Sequence, residues 1–392
     1  MLKVAVLSDI HAHSRAHLEK DETEPSYVEI GATDSPSTNP FAGLNALIEQ
    51  EEITVDVLAS GGDMGDKAHP EAITYAWNKI LALQKSLEAP VLLPATGNHD
   101  MDSRAINGYD ARGTLQGLID YPFSDLALNN EYWANNVVVQ EHEGFRSVLL
   151  NSAAYHGYKD EWEHGRASAR TREYLKSRLA ATSDRGINLL LTHHQLYNLD
   201  SIDLKAHSEM KEASALLNEL GSGDFGSWFM IHGHRHWPAL SQAAGSRSAP
   251  YVFSAGSFSA VLYPEIQNRA RNQFYVLELA DTQPGYPIRG RFRAWDWIAD
   301  SGWLPAQDRS GLPHAGGFGS AKNGVELAAD ISKLHDSKGG NPLAWDVVEA
   351  EIPDVYYTMP KDLKVLRRCL LDSHTLTVLQ DELGYPVQVG RM

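Results

Sequence analysis

The chain has 392 residues, enough for one large core or two domains. At 43% hydrophobic and 22% charged it is a folded protein, which excludes a disordered chain. Its formal charge of −17 argues against bulk nucleic-acid binding, because such binding runs on phosphate neutralisation by Lys and Arg. A nucleic acid held by metals or by a local basic patch stays open.

The single cysteine, Cys369, excludes an intrachain disulfide and suits a reducing compartment. The N-terminal apolar run is too short for a signal-peptide core. No apolar run approaches the roughly 20 residues of a membrane span. The cytoplasm is the expected location, with no membrane partner.

Residues 4–7 are a short apolar run that predicts a buried strand ending at Ser8-Asp9. Residues 13–40 are polar and rich in Ser, Thr, Pro, Asp and Glu, which predicts a long loop. Phe41, Leu44, Leu47 and Ile48 have helical spacing in 41–52. A strand at 55–59 ends in Gly61-Gly62-Asp63. A helix over 75–87 and a strand over 91–94 lead to Gly97-Asn98-His99-Asp100. Residues 101–135 show no clean period. Strands are expected at 137–140 and 145–151, a helix at 170–180, and a strand at 187–191 ending in Thr192-His193-His194. A helix at 207–220 and a strand at 228–231 follow, then His232-Gly233-His234-Arg235-His236. Further strands fall at 251–254, 274–279 and 288–297. Strands alternating with helices, then strands in series, argue for α/β sheets covered by helices.

The stretch 301–324 is rich in Gly, Ser and Pro and shows neither period, so it reads as a linker or boundary loop. This divides the chain into a catalytic domain (1–300), a linker (301–324) and a small, mostly helical C-terminal extension (325–392). Leu327, Ile331 and Leu334 predict one helix there. Leu363, Leu366 and Leu370 predict another, with Lys364, Arg367 and Arg368 on its polar side.

Five polar clusters follow predicted strands: Asp9-Ile10-His11, Gly62-Asp63-Met64-Gly65-Asp66, Gly97-Asn98-His99-Asp100, His193-His194 and Gly233-His234-Arg235-His236. Strand ends on one edge of an open α/β sheet converge on a crevice. Neutral imidazoles and anionic oxygens brought together there are what a divalent metal site needs. Glycines beside Asp63, Asn98 and His234 are expected to let the backbone turn sharply.

This set resembles the calcineurin-like metallophosphoesterase superfamily, whose blocks are D-x-H, GD-x-x-D, GNH followed by D or E, a strand-terminal His, and GH-x-H. All five occur here in order over residues 1–236. The resemblance implies a four-layer α/β/β/α sandwich. It implies one metal on Asp9, His11 and His236, another on Asn98, His193 and His234, and Asp63 bridging both. A bridging hydroxide would attack phosphorus in line. His99 would contact a phosphate oxygen or protonate the leaving group, and Asp100 would orient His99. Asp66, His194 and Arg235 stand nearby as candidates for substrate contact or for support of the ligands.

One block departs from the pattern. His193-His194-Gln195 stands where His-x-Pro is usual, so either histidine could be the ligand, with His193 favoured by alignment on the missing proline.

Other residues read as ordinary structure. His13 and His17 lie in a polar segment and read as solvated, His232 as packed or supporting the ligands, and His156 and His164 as surface-loop residues, with lining the site as the alternative. Trp237-Pro238 reads as closing its loop, and Cys369 as a small buried hydrophobe. The leucine stripe at 363, 366 and 370 reads as docked on its own core.

Mixed imidazole and oxygen ligands suit Mn, with Fe, Zn, Co or Ni as alternatives. The pattern is closest to bacterial phosphodiesterases of cyclic nucleotides or other small phosphodiesters. A nuclease of DNA or RNA is the alternative. Another is a metallophosphoesterase subunit of a larger assembly, or a homo-oligomer, held through residues 325–392. A protein phosphatase fits less well, since Lys67 follows Asp66 where those enzymes carry Arg-Gly.

Overall fold

The computed structural model describes residues 1–391 apart from 21, 158–160, 162–163, 184–185, 198–208, 246–248, 281–286 and 309–310. Strand β1 (Leu2–Leu7) is buried except at Lys3. A strand covered on both faces has no polar side to show, hence its continuous apolar run. Helix α1 (Pro40–Glu51) starts where the Asn39 side chain accepts the N–H groups of Phe41 and Ala42, with Pro40 at a position that needs no donor. Strand β2 (Val57–Ser60) is wholly buried. Helix α2 (Pro70–Ser86) buries Ala72, Ile73, Ala76, Trp77, Ile80 and Leu83, one helical face. Strand β3 (Val91–Pro94) follows.

The aperiodic stretch 101–135 holds two helices, α3 (Ala111–Gly117) and α4 (Leu126–Asn135). Each is capped by an aspartate: Asp110 accepts the Gly113 N–H, and Asp125 those of Ala127 and Leu128. Next come β4 (Val137–Glu141), β5 (Arg146–Leu150), α5 (Ala169–Ala180), β6 (Asn188–Leu191), α6 (Ala213–Gly221), β7 (Trp228–His232), β8 (Ala239–Gln242) and β9 (Tyr251–Ser254). Residues 207–208, where the sequence predicts the start of α6, lie outside the described residues.

Strands β10 (Asn272–Ala280) and β11 (Arg289–Ile298) are followed by β12 (Gly302–Pro305) and β13 (Ala315–Phe318). The last two pair antiparallel with β11, so the expected linker at 301–324 contributes two strands to the sheet. Its glycines serve close packing. A Cβ on Gly317 would lie 2.6 Å from the Tyr357 Cα.

The C-terminal part comprises α7 (Gly324–Ser337), β14 (Leu343–Ala344), α8 (Trp345–Glu351), α9 (Pro360–His374), β15 (Thr377–Gln380) and β16 (Pro386–Gly390). The three strands make a small sheet of their own, which the helical expectation omitted. Leu327, Ile331, Leu366 and Leu370 share one buried cluster with Trp345 and Val389, and Leu363 packs against it. The leucine stripe of α9 thus faces its own core, and half-buried Cys369 packs on the same cluster.

The first sheet runs β12-β11-β10-β1-β2-β3 with β13 on β11, and the second β4-β5-β6-β7-β9-β8. Val4, Val6, Val57 and Ala59 of the first sheet share one cluster with Leu149, Leu189, Leu191, Phe229 and Phe253 of the second. The opposite face of the first sheet, Ala5, Leu7 and Leu58, packs on Leu44, Leu47, Trp77 and Ile80 of α1 and α2. The opposite face of the second, Val148, Leu190 and Met230, packs on Leu175, Leu179 and Leu216 of α5 and α6. The order of layers is α/β/β/α, as the resemblance implied. Among the described residues no helix is long and apolar enough to cross a membrane.

Candidate metal centre

In the first sheet β1, β2 and β3 run parallel side by side, and in the second β6 and β7 do. The polar clusters stand just past the C-terminal ends of these five strands. Main-chain bonds lock the ends together. The N–H groups of Ile10 and His11 both donate to the Asp63 carbonyl at 2.9 Å, and that of Gly233 donates to the His193 carbonyl at 3.0 Å. Asp9, His11, Asp63, His234 and His236 all have left-handed φ, between 50° and 79°. Each such non-glycine residue costs roughly 1–3 kcal/mol and persists only where its surroundings dictate it.

Of the three glycines expected to turn the chain, Gly62 alone has left-handed φ, at 95°. Gly97 acts by close approach: a Cβ there would sit 2.2 Å from Asp63 Oδ1.

The donor atoms meet in two groups that share Asp63. In the first, His11 Nε2 lies 3.2 Å from His236 Nε2 and 3.6 Å from Asp63 Oδ2, and His236 Nε2 lies 3.5 Å from Asp9 Oδ1. In the second, Asn98 Oδ1 lies 2.9 Å from His193 Nε2 and 2.8 Å from His234 Nδ1, and His193 Nε2 lies 3.3 Å from Asp63 Oδ2.

These spacings suit metal ions. Donors each about 2.1 Å from one ion sit roughly 3.0–3.4 Å apart at octahedral or tetrahedral angles. His193 sharpens the test. Its Nδ1 lies 2.7 Å from the Gly61 carbonyl, an acceptor that fixes the proton on Nδ1. When His193 is neutral, its Nε2 lone pair therefore faces the amide oxygen and a carboxylate oxygen. A cation between them satisfies all three.

Electrostatics agrees. Burial opposes charge on His193, yet Asp63 and Asp9 pull its titration up to about 9. The same two carboxylates would hold a bound cation. Burial raises both aspartates, but the imidazoles outweigh it, leaving Asp9 near 2 and Asp63 well below the usual range. Burial keeps His234 neutral, well below 6.5, and His11 down to about 4, as ligands require.

His193 lies in the second group beside Asn98 and Asp63, while a His194 ring nitrogen lies within 4.8 Å of the His193 and His234 donors. His194 is buried behind His193 against Ser152 and His156. Asp100 does not orient His99 as expected. Its carboxylate accepts the N–H groups of Asp63, Met64 and Gly97 at 2.7–2.9 Å, stapling the turns that carry Asp63 and Asn98. Burial and the nearby Asp63 push Asp100 up to about 6.

Asp66 takes the expected place, with Oδ1 3.1 Å from His99 Nδ1. The His99 N–H also donates to Asp63 Oδ1 at 2.6 Å, and its side chain is 35% exposed, so the ring borders the cleft. Burial disfavours charge on His99, but Asp63 and Asp66 raise its titration. Arg235 is half-buried, its carbonyl accepting the Tyr263 hydroxyl at 2.8 Å.

His13 is buried rather than solvated, while His17 is exposed. His156 is also buried, not on a surface loop. The sequence reading missed Ser257 and Ser259, whose hydroxyls donate to the Asp9 and Ile10 carbonyls at 2.7 Å. A lone serine carries no spacing signal that could have found them.

Comparison with known proteins gives a family. The model of the calcineurin-like phosphoesterase family matches residues 2–263. No curated protein matches. Among solved structures, a dimetal phosphatase from Danio rerio is 15% identical, with TM-score 0.47, over 77% of this chain and 98% of that one. A purple acid phosphatase from yellow lupin seeds is 14% identical, with TM-score 0.46, over 80% of this chain and 53% of that one. Vps29 complexed with zinc from Entamoeba histolytica is 14% identical, with TM-score 0.35, over 77% and 96%. The family match runs from the first strand to beyond the last of the five polar clusters, and this chain belongs to the calcineurin-like phosphoesterase family.

Proposed function

We propose that the protein hydrolyses a small phosphodiester, a cyclic nucleotide being the lead, at a two-metal centre. The observation that carries the two-metal reading is the pair of donor groups joined through Asp63 Oδ2. Asp9, His11 and His236 would hold one ion, and Asn98, His193 and His234 the other. When bound, the ions supply positive charge at the phosphoryl oxygens and make a water acidic enough to attack. Mn is the first choice for assay, since such a donor set leaves selection to availability.

The protein's own groups do the rest. The Gly61 carbonyl holds the His193 proton on Nδ1 and so aims Nε2 at the centre. The His234 N–H donates to the Asp9 carboxylate at 3.1 and 3.2 Å, tying the two halves together. Asp66 engages His99 Nδ1, which leaves Nε2 for the substrate. As the P–O bond to the leaving group breaks, His99 gives its proton to the departing oxygen.

The acidic charge of −17 favours a substrate with one negative charge over a polyanion. The single cysteine suits work in the cytoplasm.

The test is a screen of the purified protein with Mn. It covers a cyclic nucleotide, single- and double-stranded DNA, RNA, an aryl phosphodiester and an aryl phosphomonoester. Turnover highest on the small diesters is expected. Preference for DNA or RNA would replace the reading with a nuclease, and preference for the monoester would overturn the diester assignment.

A further inference from the structure

Behind the second donor group lies a buried polar set that the proposed reaction does not use. His194 is fully buried. Its Nδ1 lies 2.8 Å from Ser152 Oγ, and its Nε2 lies 3.2 Å from His156 Nε2. The two imidazoles are 14° from parallel with centroids 5.0 Å apart, so they meet nearly head to head.

Ser152 and the two imidazoles form a hydrogen-bonded chain that two proton arrangements allow. Ser152 Oγ accepts the His194 main-chain N–H at 3.2 Å, and it either donates its own proton to His194 Nδ1 or accepts the one that Nδ1 carries. In the first case His194 donates from Nε2 to His156 Nε2, and in the second His156 Nε2 donates to His194 Nε2. His156 is 6% exposed and Ser152 is fully buried, so water does not compete for either contact. Room for the ring is built in at Gly165, where a Cβ would lie 2.4 Å from His194 Nδ1.

The ring held this way backs the metal ligands. Its centroid is 4.5 Å from that of His234 and 4.9 Å from that of His193. The usual proline two residues after the ligand is absent, Gln195 standing in its place, so no pyrrolidine ring stiffens this turn. The clamp on His194 performs that task from the side.

We infer that His156, acting through His194, is a positioning residue for His193 and His234, and so for the second ion alone; this rests on the two-metal reading. Ligand-orienting partners of this kind commonly govern metal affinity by about 10–100-fold.

The test strips the protein with chelator and titrates it with Mn, following free Mn by electron paramagnetic resonance and bound Mn by equilibrium dialysis. Wild type should take up two ions. His156→Ala should keep one at wild-type affinity and bind the other about 10–100-fold more weakly. Its paramagnetic spectrum should change from a coupled pair to an isolated ion. His156→Gln, whose amide can accept from His194 or donate to it, should restore the pair. Should His156→Ala fail to fold by circular dichroism, Ser152→Ala removes the other end of the clamp and should show the same selective loss. Fewer than two ions on wild type would sink the two-metal reading itself. Two ions on wild type and two at unchanged affinity on the variant, or equal loss of both, would overturn the role of His156 and leave that reading standing.

Discussion

The metal centre and the C-terminal unit are built on opposite principles. The unit is ordinary amphipathic packing: α7 and α9 lay Leu327, Ile331, Leu366 and Leu370 on one apolar cluster. Asn323 caps α7 with a full capping box, its side chain accepting from Val325 and Glu326 while Glu326 reaches back to the Asn323 N–H. The centre buries carboxylates and imidazoles, and holds five non-glycine residues at left-handed φ. One region is held mainly by apolar packing, with His335 as a buried polar exception. The other carries strain and buried charge that only its surrounding bonds, and a bound cation, make tolerable. Stability and chemistry should therefore respond to different substitutions.

The largest effect expected is from Asp63→Asn, which keeps the shape but removes the charge shared by both donor groups. Turnover of an aryl phosphodiester should fall by roughly 10³-fold while circular dichroism stays unchanged. Near-normal turnover would break the assignment of Asp63.

Acid should separate the two regions next. Burial pushes His156 down to about 4 from its ordinary 6.5, so unfolding takes up a proton between those values. Its contribution to stability is complete above pH 6.5 and is lost as pH falls toward 4, by at most about 3 kcal/mol. Urea melts across that window should show a shallower loss for His156→Gln than for wild type. Equal slopes would count against a buried neutral imidazole.

Leu366→Ala should cost about 3 kcal/mol by leaving a cavity in the C-terminal cluster, with kcat unmoved. A matching fall in kcat would mean that the two regions are coupled. His99→Ala should slow poor leaving groups by roughly 10²-fold and spare activated aryl esters, with both ions retained. An equal loss on both substrates would remove the proton-donor role. Smallest is Asn323→Ala, about 1 kcal/mol from the lost cap, read as a lower Tm without change in metal content.

The contrast also explains what could be read from sequence. The centre was legible because each donor cluster follows an apolar run and keeps fixed internal spacing, as in Asp9-Ile10-His11 and His234-Arg235-His236. The helices of the C-terminal unit were legible from leucine periodicity. Its small sheet was not, because β14 is two residues long and β15 carries no fully buried side chain. Helix α4 escaped because it buries only Tyr132, leaving no stripe to see; the Asp125 cap was the available signal. The partners of Asp100 and Asp66 were illegible for another reason. Which carboxylate reaches His99 depends on how two turns cross in space, and spacing along the chain does not record that. His13 looked solvated because polar neighbours surround it in sequence; His156, which follows Ala153, Ala154 and Tyr155, is buried against His194, distant in the chain.

The strain at Asp9, His11, Asp63, His234 and His236 has a consequence for how this centre diversifies. Donor positions fixed by backbone at strand ends do not depend on the connections that leave those ends. The polar stretch between β1 and α1 departs directly from the His11 turn, yet the turn is pinned to the Asp63 carbonyl and to Ser257 and Ser259. Such a connection can lengthen, shorten or change composition while the donors stay in register. The five strand ends thus act as a socket, and substrate choice becomes a property of interchangeable rims around it.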